Sequence, residues 1–336
     1  MGFAYSNDDV YATIKEIRFN NCLQKHPGGH KCSELQSCET LYKMKLMNGC
    51  KDNLSCQSDL SKKETKIKTF KGCKRRLPRA IIIGAYKSGT RELIDFLAMN
   101  PLIVIKRQPK YEVAYFDKHV DKGLDWYRDE MPFSTSDQIT IEKSPSYFTS
   151  MEAPRRIYEM DKNMKLILIV RDPVERTISH LTFEEFILKE QYGNSINNCL
   201  YKRVLNRKVI NENCFAIKAS FYDAQLKTYL RYFSLEQIHI VDADDFQKHP
   251  CKVIRDLEAF LDVDRYINCD NFLHNKNTGF YCVRTKNTES GFCYERTRGR
   301  LQMQTEFSVL KDQLKTLFKP HNEIFFNLIR KIFHWS

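Results

Sequence analysis

Residues 80–90 of the chain read Ala-Ile-Ile-Ile-Gly-Ala-Tyr-Lys-Ser-Gly-Thr, and they combine an apolar run with a glycine-rich turn. The first four residues are apolar and mostly β-branched, which is typical of a strand that is buried on both faces. The glycines permit a tight turn, and a helical pattern follows from about Thr90 to Met99 and stops before Pro101. A buried strand, a glycine turn and a helix predict the start of a βαβ unit.

Further apolar runs repeat this plan along the chain. Strands are predicted at Leu102–Ile105, Leu166–Val170 and Ile238–Val241, and helical patterns lie between them. The alternation indicates an α/β fold with an open parallel sheet flanked by helices. Near the C-terminus, helical spacing of apolar residues predicts one helix through Phe307–Phe318 and a second helix from about Asn322 to Ile332.

Length and cysteine content divide the chain into two predicted parts. A chain of 336 residues accommodates one α/β domain of roughly 250 residues and a smaller appendage. Residues 1–76 are dense in cysteine and poor in long apolar runs, which predicts an N-terminal extension or stem, and residues 77–336 form the predicted catalytic domain. The 12 cysteines fall evenly into the two parts. This favours disulfides over the alternative of reduced core thiols, and the lack of any C-x-x-C pair argues against zinc.

Disulfides imply an oxidising compartment, and proteins reach such a compartment through a targeting segment. Residues 2–19 are interrupted by charged side chains, so neither a signal peptide nor a membrane span is predicted there. The sequon Asn53-Leu54-Ser55 agrees with a secreted glycoprotein. We therefore expect a protein of the Golgi lumen or a secreted protein, with no membrane span in this chain and with its targeting segment absent from this sequence.

The charge balance favours an anionic partner. The 54 Lys and Arg residues exceed the 42 Asp and Glu residues, which gives a formal net charge of +12. Such an excess suits a nucleotide, an acidic polysaccharide, a nucleic acid or a membrane surface. The lysines are dispersed and no nucleic-acid reader motif is present, so nucleic acid is not expected.

An anion site is predicted at the loop Gly84–Thr90. The loop lies between a buried strand and a helix, where backbone amides and the helix dipole converge. Lys87 adds a positive charge, and Ser88 adds a hydroxyl donor. The arrangement is P-loop-like, but a Walker A loop has its lysine directly after the second glycine, whereas Lys87 precedes Gly89. This order disfavours an ATPase.

A second anion-binding element is predicted at the end of the strand Leu166–Val170. The strand runs into Arg171-Asp172-Pro173, and Ser179 follows in the next helix. Ligands of open α/β sheets bind outside the carboxyl ends of the strands, so Arg171 and Ser179 are expected in the same crevice as Lys87. The alternative for this segment alone is a helix-capping Asp172 beside a surface arginine.

Together the two elements resemble the donor-binding motifs of sulfotransferases, which use 3′-phosphoadenosine 5′-phosphosulfate (PAPS). The likeness extends over about three quarters of the chain, from about Leu77 to its end, because many further short motifs keep their order. The series resembles the sulfotransferase domain of the heparan sulfate 3-O-sulfotransferases, and its motifs are Glu112–Asp117, Trp126-Tyr127, Met131–Phe133, Glu142–Phe148, Gly279–Cys282 and Arg298–Arg300.

The resemblance implies a donor site that binds PAPS and releases 3′-phosphoadenosine 5′-phosphate (PAP). Lys87 would contact the transferring sulfonate, and Arg171 with Ser179 would bind the 3′-phosphate. The other loop residues implied are Ser88, Gly89, Thr90 and Arg91, and the groups that would close over the nucleotide are Tyr281 and the turn Arg298-Gly299-Arg300. Cys282 and Cys293 match a disulfide of the family.

The resemblance also implies the catalytic groups. Glu112 matches the general base, Lys87 and Lys143 match the lysines that flank the sulfonate and the leaving group, and Asp117 would orient local groups. Sulfuryl transfer, like phosphoryl transfer, requires positioning, charge neutralisation and a base, and we expect no metal requirement.

The acceptor is less closely defined, because four residues depart from the family pattern. Ala114 stands where the family has a histidine, Tyr86 replaces a basic residue, His180 an acidic residue and Phe183 a glutamine. The expected acceptor is a glucosamine 3-OH of heparan sulfate or a related anionic glycan. A small hydroxylated metabolite, a tyrosine acceptor and an inactive glycan-binding homologue stay open. Two interpretations stay open for a set of basic residues, a groove that binds the glycan or, for each residue alone, a solvated surface: Lys106, Arg107, Lys110, Lys118, Lys122, Arg155 and Arg156.

Overall fold

The computed structural model describes residue 17 and residues 73–106, 112–192, 197–204, 207–276, 280–284 and 308–335. The extension predicted at residues 1–76 lies almost entirely outside these ranges, and its boundary stays a prediction. By its internal contacts the chain forms two compact units. The first unit comprises residues 1–82, 91–144 and 247–293, and the second comprises residues 83–90, 145–246 and 294–336.

The strands described, in chain order, are β1 (Lys74–Arg75), β2 (Ala80–Gly84), β3 (Ile103–Ile105), β4 (Phe133–Ser134), β5 (Ile139–Lys143), β6 (Lys165–Val170), β7 (Tyr201–Val204), β8 (Arg207–Ile210), β9 (Ile238–Asp242), β10 (Phe272–Asn275) and β11 (Phe280–Val283). The α-helices described are α1 (Thr90–Leu97), α2 (Gly123–Asp129), α3 (Ala153–Met160), α4 (Pro173–Tyr192), α5 (Asn197–Leu200), α6 (Phe215–Lys218), α7 (Tyr222–Tyr229), α8 (Ala243–Lys248), α9 (Pro250–Phe260) and α10 (Ser308–Ile329).

A five-stranded sheet with the order β3-β5-β2-β6-β9 forms the centre of the fold. The pairs β2–β5, β3–β5 and β6–β9 are parallel, and every residue of β2, β3 and β5 is buried. Strand β2 contributes to both units, because its residues 80–82 belong to the first unit and its residues 83–84 to the second. Directly after β2, Ala85 donates its N–H to the Ile169 carbonyl oxygen at 2.7 Å. The predicted parallel sheet flanked by helices is confirmed. Strand β5 was not predicted.

The first unit contains β3, β5 and the first three residues of β2. The Asn100 side chain donates to the buried carboxyl group of Glu258 on α9, at 2.6 Å. The rings of Phe96 and Phe272 meet edge to face, with centroids 5.2 Å apart. These contacts hold α1 and α9 within one core.

The C-terminal helix corrects one prediction. Two helices were expected around residues 307–332, but α10 is one continuous helix with Pro320 inside it. Proline lacks an N–H and therefore removes one intrahelical hydrogen bond. Tertiary packing offsets this loss, because one apolar face of α10 is buried within the second unit on both sides of Pro320, through Leu310, Leu314, Phe318 and Phe325.

The second unit also contains an antiparallel hairpin of β7 and β8. The disulfide Cys199–Cys214 closes the chain around it, and a second disulfide, Cys251–Cys269, lies in the first unit. Both pairs agree with the expectation of disulfides in the C-terminal part. Within the described ranges, no helix is both long and apolar enough to cross a membrane.

Candidate active site

The loop after β2 is shaped by short-range constraints. A Cβ atom on Gly84 would lie 2.6 Å from the Cβ of Phe148, so only glycine allows this close approach. Lys87 and Gly89 have positive φ angles of 69° and 98°. The turn therefore reverses tightly before α1 begins at Thr90, as the sequence predicted.

The hydroxyl group of Ser88 is an unusual feature of this loop. Its Oγ atom is buried and makes no hydrogen bond of acceptable geometry with the residues that the structure describes. Tyr222 is near enough for Ser88 to lower the Tyr222 pKa, although burial dominates and raises that pKa to about 12. The Tyr222 hydroxyl donates instead to the Arg171 carbonyl oxygen at 3.0 Å. A buried hydroxyl without a partner is costly, and a bound oxyanion would satisfy it.

Arg176 on α4 donates a hydrogen bond to the backbone of the loop. Its guanidinium group is buried and donates to the Tyr86 carbonyl oxygen at 3.3 Å, to the Ser220 hydroxyl at 2.5 Å and to the Ala216 carbonyl oxygen. Burial lowers the pKa of Arg176 to about 10, which still leaves it charged at neutral pH. One buried cation therefore links the loop to α4, to α6 through Ala216 and to Ser220 after it.

His180 continues this network along α4. Its Nδ1 atom accepts a hydrogen bond from Arg176 at 3.1 Å, because arginine can only donate. The proton is therefore on Nε2, which donates to the Glu184 carboxylate at 2.9 Å. Burial lowers the pKa of His180 and so favours this neutral form.

Three of the departures from the family pattern meet at this point. The ring of Tyr86 packs on His180, with centroids 4.9 Å apart, and meets Phe183 edge to face at 6.5 Å. The Lys87 ammonium group lies 4.0 Å from the centroid of the Phe183 ring. Phe215, which is about half exposed, adds an edge to His180 at 5.5 Å. Tyr86, His180 and Phe183 thus form one aromatic cluster beside Lys87.

The strand-end element contains a capped helix. Asp172 accepts hydrogen bonds from the Val174 and Glu175 amides at 2.8 and 3.3 Å, so it caps α4 as the structural alternative proposed. The Arg171 side chain is mostly buried and contacts Glu175 at 3.3 Å. Ser179 lies two turns along α4, in the same unit as the loop. Their role as ligands of the 3′-phosphate stays a prediction.

In the first unit, Lys143 and Glu112 form an ion pair. Their Nζ and Oε1 atoms are 2.6 Å apart. The Lys143 side chain is 4% exposed, whereas the Glu112 side chain is 46% exposed. The buried lysine at the end of β5 therefore holds a carboxylate that solvent can reach, which is an arrangement that suits a base acting on an incoming hydroxyl.

A second carboxyl group, that of Glu142, lies next to Lys143 in the sequence and contacts the backbone next to Glu112. It is fully buried and accepts hydrogen bonds from the Ser144 and Tyr127 hydroxyls and, at 3.4 Å, from the Val113 amide. Ser144 in turn accepts from the Ala114 amide at 2.9 Å. Burial raises the pKa of Glu142 to about 7. Through these bonds Glu142 and Ser144 fix the backbone that carries Glu112.

The remaining predicted residues are only partly described. Asp117 lies in a one-turn π-helix with its Oδ1 atom buried, and the Tyr281 ring lies 5.1 Å from His274. Cys282 is disulfide-bonded, but its expected partner Cys293 and the turn Arg298-Gly299-Arg300 lie outside the described residues.

Among the basic residues considered for a groove, buried Lys106 does not fit and Arg155 agrees with the alternative of a solvated surface, while the groove itself stays a prediction. Lys106 is buried in an ion pair with Glu130, and Arg155 lies between Glu152 and Glu159 in an exposed pair of salt bridges. Arg107 and Lys110 lie outside the described residues.

Sequence reasoning assigned no role to Arg176, Glu142 or Tyr222. The role of Arg176 could have been inferred from its spacing, because Arg176, His180 and Glu184 recur every four residues and therefore share one face of α4. Glu142 carried no such signal, because its burial follows from the position of β5 inside the sheet, between β3 and β2.

Comparison with known proteins places these features in a family. The family model for the sulfotransferase domain matches residues 77–316. The chain belongs to the sulfotransferase family. Heparan sulfate glucosamine 3-O-sulfotransferase 5 of Homo sapiens is 36% identical to this sulfotransferase over 265 residues, which are 78% of the chain and 75% of that protein. Heparan sulfate glucosamine 3-O-sulfotransferase 3B1 of Mus musculus is 36% identical over 265 residues, or 78% and 66% of the two chains.

A solved structure supports the fold. The crystal structure of a sulfotransferase from Alicyclobacillus acidocaldarius matches with a TM-score of 0.51 at 21% identity, and it covers 77% of this chain and 98% of that chain. At this level of identity the match bears on the fold alone.

The sulfotransferase is an enzyme that uses PAPS as its donor. The loop fits an anionic group of this kind, because the buried Ser88 hydroxyl lacks a partner among the described residues and Lys87 and Gly89 give the loop its positive φ angles. No group of three or more His, Cys, Asp or Glu side chains within the described ranges is arranged to hold a metal ion. The expectation that no metal is required stays a prediction.

Proposed function

We propose that this sulfotransferase transfers a sulfuryl group to a hydroxyl of an anionic glycan, with the 3-OH of a glucosamine residue in heparan sulfate as the expected acceptor. The observation that carries the proposal is the 36% identity, over 78% of the chain, to proteins named heparan sulfate glucosamine 3-O-sulfotransferases. The ion pair of Glu112 with Lys143 supports it independently.

PAPS, when bound, supplies the sulfuryl group and leaves as PAP. In the proposal, the loop residues Ser88, Gly89 and Thr90 hold the 5′-phosphosulfate, while Arg171 and Ser179 hold the 3′-phosphate. The further donor contacts proposed are those of Arg91, Tyr281, Arg298, Gly299 and Arg300. The buried Ser88 hydroxyl and the positive φ angles of the loop support the first assignment.

Glu112 is proposed as the general base. It takes the proton of the acceptor hydroxyl while the acceptor oxygen forms a bond to sulfur and the bond from sulfur to the phosphate oxygen breaks. Lys87 and Lys143 neutralise charge on the sulfonate and on the departing phosphate. Asp117 is proposed to orient groups near Glu112, and the carboxyl group of Glu142 holds the Val113 amide next to the base.

The aromatic cluster favours a second candidate acceptor. The cluster of Tyr86, His180 and Phe183 lies beside Lys87, and the half-exposed ring of Phe215 contacts His180. Rings of this kind bind the flat apolar face of a partner. A planar hydroxylated molecule such as a phenol is therefore the second candidate. Loss of the expected basic and amide groups at residues 86 and 183 removes polar contacts to an anionic sugar, which favours the same alternative.

The compartment is part of the proposal. The two disulfides Cys199–Cys214 and Cys251–Cys269 are expected to persist only where conditions are oxidising. We place the enzyme in the Golgi lumen or outside the cell, where glycan acceptors are exposed to it.

An acceptor panel with radiolabelled PAPS tests the function. Purified enzyme is incubated with heparan sulfate, N-sulfated heparosan, a non-sulfated neutral glycan, simple phenols and tyrosine peptides. Label in the heparan sulfate, located at glucosamine O3 by disaccharide analysis, is the expected result. Transfer to phenols alone would establish the second candidate, and PAP binding without transfer to any acceptor would indicate an inactive glycan-binding homologue.

A further inference from the structure

The hairpin of β7 and β8, here called the basic hairpin, carries an unusual charge arrangement. Arg203 lies directly opposite Lys208 across the two strands. Lys202 and Arg207 occupy the other face, because successive strand residues point to opposite sides. All four side chains are exposed, so each face of the hairpin presents two cations.

This arrangement opposes the stability of the hairpin. Like charges directly across an antiparallel pair repel each other. In the part of the chain that the structure describes, none of the four cations forms an ion pair with a carboxylate. Some exposed cations elsewhere are paired, since Arg128 contacts Asp125 and Lys227 contacts Asp223.

The hairpin is nevertheless firmly attached to the second unit. The disulfide Cys199–Cys214 links the residues that flank it, which are 15 positions apart. The Asn211 amide donates to the Leu200 carbonyl oxygen at 2.8 Å, and the Asn211 side chain donates to the Cys199 carbonyl oxygen at 3.0 Å. Leu200 and Cys214 are buried in a core cluster with α4 and α10. The repelling cations are therefore held on a fixed scaffold.

The surface of the hairpin also suits a sugar chain. The Lys208 ammonium group lies 4.0 Å from the centroid of the Tyr201 ring, so one face combines cations with an aromatic ring. On the other face, Val204 and Val209 are 47% and 36% exposed beside the two cations. Sulfate and carboxylate groups pair with cations, while C–H faces of pyranose rings pack on apolar and aromatic side chains.

We propose that the basic hairpin is a second binding surface for a polyanionic glycan chain, in addition to the residues that carry out sulfuryl transfer. It would hold sulfated or carboxylated sugars of the same chain outside the reacting residue. The choice of a glycan as the partner rests on the proposed function, but a glycan can bind to the hairpin without any sulfuryl transfer. The repulsion between Arg203 and Lys208 is relieved when an anion binds between or beside them.

Removal of the cross-strand pair tests the proposal. The variant R203S/K208S is compared with K315S/K319S, which removes two exposed lysines from α10 and thus the same charge. Each protein is titrated into fluorescein-labelled heparin of about 20 sugars, a length chosen by us, at several salt concentrations. We expect R203S/K208S to raise the Kd about 5-fold, as two exposed ion pairs would, and to flatten its salt dependence.

The outcomes separate this proposal from the proposed function. Transfer of label to a short heparan sulfate oligosaccharide reports the function and is expected to be unchanged in both variants. Unchanged heparin affinity in R203S/K208S, or an equal loss in K315S/K319S, would overturn the hairpin surface whatever the transfer assay shows. The proposal would also be overturned if the hairpin contributed as much to the binding of duplex DNA as to the binding of heparin. The surface would then bind any polyanion, without a preference for a glycan.

Discussion

The Lys87 ammonium group lies over the ring of Phe183, with Nζ 4.0 Å from the ring centroid. A cation over an aromatic face is attracted by the ring quadrupole, and the contact is worth about 0.5–1 kcal/mol at an exposed site. Lys87 also has a positive φ angle, so both its backbone and its side chain are constrained. The residue expected to contact the sulfonate is thus oriented by a residue that departs from the family pattern.

Replacement of this ring tests its positioning role. We expect F183L to lower kcat/KM for PAPS about 3- to 5-fold, because the apolar volume stays but the attraction to Lys87 is lost. The conservative variant F183Y keeps a ring face and should retain near wild-type kinetics. Steady-state kinetics measure kcat/KM for PAPS in both variants, and a PAP binding titration shows whether nucleotide binding itself has changed. Equal kinetics for F183L and F183Y would exclude the positioning role.

Glu112 is expected to act in the chemical step rather than in donor binding. E112Q keeps the size of the side chain and removes its basicity, so kcat should fall on the order of 10²- to 10⁴-fold. The Kd for PAP, measured by calorimetry, should change little. E152Q, which alters an exposed carboxylate in a helix-surface salt bridge, is the matched control and should keep full activity. Parallel loss of turnover and PAP binding in E112Q would contradict the assignment of the base.

The buried carboxyl group of Glu142 predicts a pH-dependent stability. Burial raises its pKa from 4.5 to about 7, so the folded chain holds a proton that the unfolded chain releases between these pH values. Folded stability should therefore fall as pH rises from about 4.5 to 7, by about 3 kcal/mol in the limit.

Urea unfolding at pH 5 and pH 7.5 measures this effect. E142Q cannot ionise and should show a smaller loss of stability between the two pH values than the wild type. E159Q changes an exposed carboxylate on α3 and should retain the wild-type loss. An identical pH dependence in E142Q and wild type would show that another group is responsible.

Arg176 should be a stability determinant of the donor loop. R176M removes the buried cation but leaves the Tyr86 and Ala216 carbonyl oxygens without their donor, and we expect a loss of about 3 kcal/mol. Urea denaturation measures the loss, and R128M, at an exposed salt bridge, should cost under about 1 kcal/mol. A loss for R176M no larger than that for R128M would refute the supporting role.

Much of the fold followed from local sequence. The apolar run at Ala80–Ile83 and its glycine turn predicted β2, the loop and α1 within one or two residues. The run Leu166–Val170 did the same for β6, and the predicted helix that contains Ser179 follows it. These predictions hold because burial on both faces and backbone freedom at glycine can be recognised from a few consecutive residues. The C-terminal helix was misjudged at Pro320, where packing along one face offsets a lost hydrogen bond.

The amino-acid sequence was enough to identify an α/β chain with an anion-binding loop and the ordered motifs of a sulfotransferase. How the charged groups of this chain are used became visible only in the folded structure. It paired Lys143 with Glu112, buried Glu142 beneath them, placed Arg176 under the loop, and left the cations of the basic hairpin without carboxylate partners among the described residues. The physical reason is that a charge acts through its burial and its neighbours, and residues far apart in sequence supply both.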